Sequence, residues 1–122
     1  MLSLRAPPEL AGALRSLLAQ DPVPEMLVVN SGGGDAAALL RREGIDVPTL
    51  ERAERLFAGG ARNLGIAATR APFVAFLASD CRADPGWVAE RLRLHRAGEA
   101  AVASAMLPAR EDLLGWACTL GL

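Results

Sequence analysis

Aromatic residues are scarce in this sequence: its 122 residues include three Phe, two Trp and no Tyr. Without bulky rings, the core must be built from Ala, Leu and Val within a chain that is 52% hydrophobic. Small aliphatic side chains suit close packing of helices on a sheet. The length and apolar content predict one domain with an ordinary hydrophobic core.

Cysteine and histidine are also rare, and lysine is absent. The two cysteines, Cys81 and Cys118, form no CxxC pair and are too few for a disulfide framework, so we expect a reducing, cytoplasmic compartment. The single histidine, His95, excludes a metal site with several histidines. All 13 basic residues are Arg, scattered among 14 acidic residues, so we predict no nucleic-acid partner.

Long apolar runs are missing as well. Residues 1–8 lack the apolar stretch of a signal peptide. No run approaches the roughly 18 apolar residues that a membrane-spanning helix needs. We therefore expect no transmembrane segment.

Strand and helix patterns alternate along the chain. Helical spacing of leucines starts near residue 10 and ends at Asp21-Pro22. Strands are predicted at 26–29, 45–50, 73–77 and 100–106. Further helices are predicted at 35–42, at 61–69, from 84 to 98 and from 111 onward, with Asp35 and Asp84 as the N-caps of the helices that begin at them. This alternation predicts an α/β fold with a mainly parallel sheet flanked by helices.

Polar residues follow two of the predicted strands. Asn30 and Ser31 follow the strand at 26–29, and Ser79 and Asp80 follow the strand at 73–77. Ligands of open α/β sheets bind beyond the carboxyl ends of strands, so both places are candidate sites. From spacing alone, Asp80 fits turn chemistry better than ligand binding, and the glycines at 32–34 fit a flexible connector as well as a binding loop. The residues alone leave these alternatives open.

Three segments together resemble the family 2 glycosyltransferases with a GT-A fold. Residues 27–35 (Leu-Val-Val-Asn-Ser-Gly-Gly-Gly-Asp) are similar to that family's second strand and Asp-Asp-Gly-Ser loop. Residues 60–67 (Gly-Ala-Arg-Asn-Leu-Gly-Ile-Ala) are similar to its Ala-Arg-Asn-x-Gly helix. Residues 73–80 (Phe-Val-Ala-Phe-Leu-Ala-Ser-Asp) are similar to the strand before its Asp-x-Asp motif. The resemblance covers most of residues 3–107 and implies a GT-A, Rossmann-like fold.

The resemblance implies a nucleotide-sugar donor, Mg²⁺ or Mn²⁺, and a saccharide or lipid acceptor. Asp80 matches the last Asp of Asp-x-Asp, which holds the cation that bridges the donor's diphosphate. The nucleotide-sugar-binding residues that it implies are Asn30, Ser31, Arg62, Asn63, Ser79 and Asp80. It also implies that the strand at 73–77 lies beside a short N-terminal strand, with the strand at 26–29 on the other side.

The sequence departs from the family pattern in four places. Ala78 stands where the first Asp of Asp-x-Asp is usual, and Asn30 and Ser31 lack the usual negative charge. The predicted N-terminal strand is short, and we expect the acceptor-binding half, which the family uses to supply a general base, to be missing from these 122 residues. We therefore expect residues 1–122 to be a single nucleotide-sugar-binding domain, shortened at the N-terminus and incomplete at the C-terminus, that cannot transfer sugar alone. We also expect the apolar last helix to self-associate.

Two other functions compete with sugar transfer. Residues 32–37 satisfy G-x-G-x-x-A between a strand and a helix, which is typical of dinucleotide-binding Rossmann domains. Asp35 counts against that hypothesis, because it places a negative charge where the pyrophosphate would bind. The other alternative, motivated by Ala78, is a degenerate GT-A fragment that binds without catalysis.

Overall fold

The computed structural model describes residues 1–108. They form strands β1 (Leu2–Leu4), β2 (Val28–Ser31) and β3 (Thr49–Arg52), and helices α1 (Glu9–Leu18), α2 (Ala36–Arg42), α3 (Ala58–Ala67) and α4 (Trp87–Arg96). The strands form one parallel sheet in the order β1-β2-β3. The predicted α/β fold, a parallel sheet flanked by helices, is confirmed.

The sheet is covered on both faces at its central strand, β2. Successive side chains of a strand point to opposite faces. Val28 joins a core cluster with Leu10 and Leu14 of α1 and Leu40 of α2. Val29 faces the other way, and a Cβ placed on Gly65 of α3 would lie 3.8 Å from its side chain. Helices on both faces explain why all four residues of β2 are buried.

Local signals set some helix boundaries correctly and others not. Asp35 caps α2 as predicted, because its Oδ1 accepts a hydrogen bond from the Ala38 amide at 2.7 Å. Asp84 does not cap α4: the helix begins after Gly86, and no side chain caps it. Helix α3 begins three residues earlier than predicted, at Ala58 rather than at Ala61.

The strand predicted at 45–50 is displaced toward the C-terminus. Ile45 and Val47 lie in the core cluster but precede β3. Pairing with β2 starts where the Pro48 carbonyl accepts a hydrogen bond from the Val28 amide at 2.9 Å, and continues to Arg52. The apolar residues thus identified the buried segment that precedes β3. The position of the strand itself is set by backbone hydrogen bonds to β2.

The prediction of a buried strand at 73–77 is wrong. Only Ala78 pairs with β1, in an isolated parallel bridge to Leu2. Phe73, Val74 and Phe76 are 42%, 41% and 39% exposed. Within residues 1–108 no strand flanks the far side of this segment. An extended segment needs hydrogen-bonding neighbours to become a strand, and β1, with its three residues, offers few.

The strand predicted at 100–106 is also wrong, since residues 101–108 have no regular structure. Arg91 of α4 reaches this segment, and its Nη2 donates to Ser104 Oγ at 2.5 Å. The predicted helix from Glu111-Asp112 lies outside the described residues. The prediction of self-association through that helix falls there too.

Candidate functional site

The carboxyl end of the sheet collects polar residues from distant parts of the chain. Strand β1 pairs with β2 on one side, and Leu2 pairs with Ala78 in the same direction on the other. The Ser79 amide donates to the Leu2 carbonyl at 3.1 Å. The turn at Ser79 and Asp80 therefore lies at the same sheet edge as Ser31. The predicted order around β1 is confirmed on the side of β2, whereas on the other side a single bridge at Ala78 stands in place of the predicted strand. The two segments diverge at this edge, which is where open sheets bind ligands.

Asp80 is an exposed carboxylate in that turn. Its Oδ1 accepts a weak hydrogen bond from the Cys81 thiol, with Sγ 3.7 Å away. Burial, and then the Asp80 carboxylate, raise the pKa of the Cys81 thiol. The thiol therefore stays protonated at neutral pH and acts as a donor to Asp80.

The donor set at Asp80 decides what kind of cation could bind there. Within residues 1–108 no three or more His, Cys, Asp or Glu side chains are grouped as a metal site. Mg²⁺ keeps several waters and is commonly held by one or two carboxylates together with substrate phosphates. A single exposed carboxylate therefore fits a cation that arrives with a diphosphate. It does not fit a permanent, protein-enclosed metal centre.

Arg62 and Asn63 lie on α3, which covers the Val29 face of the sheet. Both side chains are exposed. The Arg62 guanidinium carbon lies 5.6 Å from the centroid of the Phe76 ring. Phe76 belongs to the segment that leads to Asp80, so α3 presents Arg62 beside that segment.

Asn30 is completely buried, with 0% exposure. Its Oδ1 accepts from Ser3 Oγ at 3.0 Å and from the Ala6 amide at 2.9 Å. Its Nδ2 donates to the Gly33 carbonyl at 3.1 Å and to Glu51 Oε2 at 2.7 Å. These four bonds use the full capacity of the amide. The side chain thus joins β1, β3 and the glycine loop, while a contact of Asn30 or of Ser31 with the nucleobase stays a prediction.

Glu51 has a role in this site that sequence reasoning did not recognise, since the sequence suggested it only as the best available acid for the ribose of a dinucleotide. Besides binding Asn30, its carboxylate accepts from the Ala36 amide at 2.9 Å and from the Ala37 amide at 3.2 Å. The register of β2 and β3 places Glu51 directly opposite Asn30. Only that register could have revealed the pair, because 21 residues separate them along the chain.

The beginning of α2 bears on the dinucleotide-binding hypothesis. Glu51 and Asp35 together accept from the amides of Ala36, Ala37 and Ala38. Dinucleotide-binding domains use such amides for the pyrophosphate. Here carboxylate oxygens already occupy them and add negative charge. This arrangement argues against a dinucleotide at the glycine loop.

The loop after β1 has an unusual backbone. Arg5 and Ala6 adopt left-handed φ values of 60° and 48°. Such values are uncommon for residues with a Cβ and persist where the surroundings hold them. Here the Arg5 amide donates to the Ser31 carbonyl at 2.9 Å, and Asn30 holds the Ala6 amide. The loop is thereby fixed against the end of β2.

Comparison with known families gives a match over nearly the whole chain. Residues 2–116 match the family described as glycosyl transferase family 2. The chain belongs to this family. No curated protein and no solved structure is similar enough to count as a match. Membership of glycosyl transferase family 2 confirms the resemblance drawn from the three sequence segments.

Within this family 2 domain, the described helices are short. The longest have 10 residues, and none in residues 1–108 is long and apolar enough to cross a membrane.

Proposed function

We propose that this family 2 domain binds a nucleoside-diphosphate sugar together with Mg²⁺ or Mn²⁺, for transfer of the sugar to a hydroxyl of a saccharide or lipid acceptor. One observation supports the location of the donor site in particular. The bridge between Leu2 and Ala78 brings Asp80 to the sheet edge where β2 ends. Family membership supports the reaction class.

The proposed roles follow from charge and position. Asp80 would hold the cation, and the exposed Arg62 guanidinium would bind the diphosphate through charge-assisted hydrogen bonds. Asn63 and Ser79 would line the sugar-nucleotide, while the end of β2, at Asn30 and Ser31, would lie near the nucleobase. When bound, the cation would supply Lewis-acid stabilisation of the departing diphosphate. The reducing, cytoplasmic setting remains part of this proposal and is supported by the free thiol of Cys81.

Replacing Asp80 with Ala should weaken binding of a nucleoside diphosphate in the presence of Mn²⁺ about tenfold or more, the worth of one charge-assisted contact. Isothermal titration with UDP, GDP and NAD, each with and without Mn²⁺, measures this. For the wild type, we expect Mn²⁺ to increase the affinity for UDP or for GDP, and we expect no binding of NAD. The matched control is Asp84→Ala, another exposed Asp four residues further on. Equal, metal-independent binding by the wild type and Asp80→Ala would remove Asp80 from the site.

A binding module without catalysis is the second candidate function. Ala78 supports it, because a methyl group stands two residues before Asp80 where the family usually has a carboxylate. Diphosphate release from several donors, with glycan and lipid acceptors, is the assay. Acceptor-dependent release would exclude the module and would contradict the expectation that residues 1–122 cannot transfer sugar alone.

A further inference from the structure

A groove beside the glycine loop is lined by three arginines. Arg41 and Arg42 come from the last turn of α2, and Arg5 comes from the loop after β1. The groove is open to solvent and has a volume of about 470 Å³. Its other lining residues are Ala6, Gly34, Asp35, Ala38 and Leu39. We call this depression the arginine groove; Asp80 does not line it.

The charges in the arginine groove are unbalanced. The lining contains three arginines and one acidic residue, Asp35, whose Oδ1 is already bonded to the Ala38 amide. Within residues 1–108 none of the three arginine side chains is in an ion pair. The last turn of a helix favours cations, which accounts for Arg41 and Arg42 but not for Arg5.

The backbone that presents Arg5 is held in place before any ligand binds. Arg5 and Ala6 keep their left-handed conformation through bonds to the end of β2. Gly34 packs so closely on them that a Cβ there would lie 2.7 Å from the Arg5 carbonyl carbon. A loop that is fixed in this way loses less conformational entropy on ligand binding than a mobile loop would.

From these observations we infer that the arginine groove binds a phosphate group of a second anionic ligand, independently of the metal-dependent site at Asp80. Guanidinium groups bind phosphate oxygens in bidentate geometry, and several of them around one depression favour a multiply charged anion. The apolar part of the lining, Ala6, Ala38 and Leu39, accommodates a carbon group attached to that phosphate. A soluble phosphate compound and a lipid headgroup share this chemistry.

The double variant Arg41→Ala/Arg42→Ala should bind inorganic pyrophosphate at least about tenfold more weakly than the wild type, since each charged hydrogen bond contributes strongly. Isothermal titration is done in EDTA, so that metal-dependent binding at Asp80 does not contribute. The Arg5→Ala variant should show the same direction of change. Arg96→Ala, which replaces an exposed arginine on α4, is the control and should bind as the wild type does.

A second arm identifies the source of the phosphate. Co-sedimentation with phosphatidylcholine vesicles that contain phosphatidic acid, against pure phosphatidylcholine vesicles, measures headgroup binding. The proposal is supported if, in either arm, the double variant loses binding while Arg96→Ala keeps it. Binding to pyrophosphate would indicate a soluble phosphate compound, and binding to phosphatidic acid vesicles would indicate a lipid headgroup. Absence of wild-type binding in both arms, or equal binding by the double variant and the wild type, would overturn it. Because neither arm uses Mn²⁺ or a nucleotide, the result is separate from that of the proposed function.

Discussion

Replacing Asn30 with Asp should lower the free energy of unfolding by about 3 kcal/mol, since it breaks buried hydrogen bonds worth about 1–3 kcal/mol each. The Asn30 amide nitrogen lies 2.7 Å from Glu51 Oε2 and 3.1 Å from the Gly33 carbonyl. A carboxylate at this place would face a second carboxylate and would leave the Gly33 carbonyl without its donor. Repulsion between like charges rises where water is excluded, and Asn30 is 0% exposed.

Urea denaturation of four proteins tests this explanation: wild type, Asn30→Asp, Glu51→Gln and the double variant. Glutamine at position 51 removes one negative charge and can donate its amide to the new Asp. The double variant should therefore be more stable than the sum of the single effects predicts, by about 1 kcal/mol or more, because the residues are in direct contact. Strictly additive effects would show that the pair is not coupled. An Asn30→Asp protein as stable as the wild type would show that the buried site tolerates two carboxylates.

Replacing Gly34 with Ala should also destabilise the domain strongly, by about 3 kcal/mol or more, as the sum of left-handed strain and overpacking. Gly34 has a φ of 77°, and a Cβ there would lie 2.7 Å from both the carbonyl carbon and the oxygen of Arg5. These are backbone atoms of a loop held by Asn30 and Ser31, so they cannot move aside easily.

Gly33→Ala is the matched control for Gly34→Ala. Gly33 has a similar left-handed φ of 91°, but no atom lies within 4 Å of the position of its Cβ. Its substitution should cost only the strain of the left-handed backbone, about 1–2 kcal/mol. The difference between the two urea-derived free energies measures the close approach of Gly34 to Arg5. Equal losses in the two variants would contradict that contact as the cause.

The parts of the candidate site that could be predicted from the sequence are those that lie in short local motifs. Asp80, Arg62 and Asn63 could be proposed as site residues because they occur in recognisable segments, and the Asp35 cap was predictable because capping is decided within four residues. Glu51 could not be found in this way, since its importance depends on the register of β2 against β3. The burial of Asn30 and the arginine groove likewise depend on contacts between separate elements.

The errors in the fold have a related cause. The run at 73–77 has the composition of a buried strand, yet pairing and burial depend on neighbours, and β1 offers it only one bridge. The strand at 45–50 was displaced for the same reason, because hydrogen bonding to β2 begins at Pro48. An apolar pattern predicts which residues tend to be buried. Strand pairing depends in addition on hydrogen-bonding partners that another segment must supply.

The sequence by itself determined the α/β class, the membership of glycosyl transferase family 2 and the N-cap of α2. These follow from patterns that lie within a few residues of one another. Only the tertiary structure decided that carboxylates fill the start of α2, that Asn30 is a buried structural amide, and that Arg5 joins Arg41 and Arg42. The physical reason is that each of these arrangements depends on the spatial meeting of residues far apart in sequence, which strand register and loop conformation bring about.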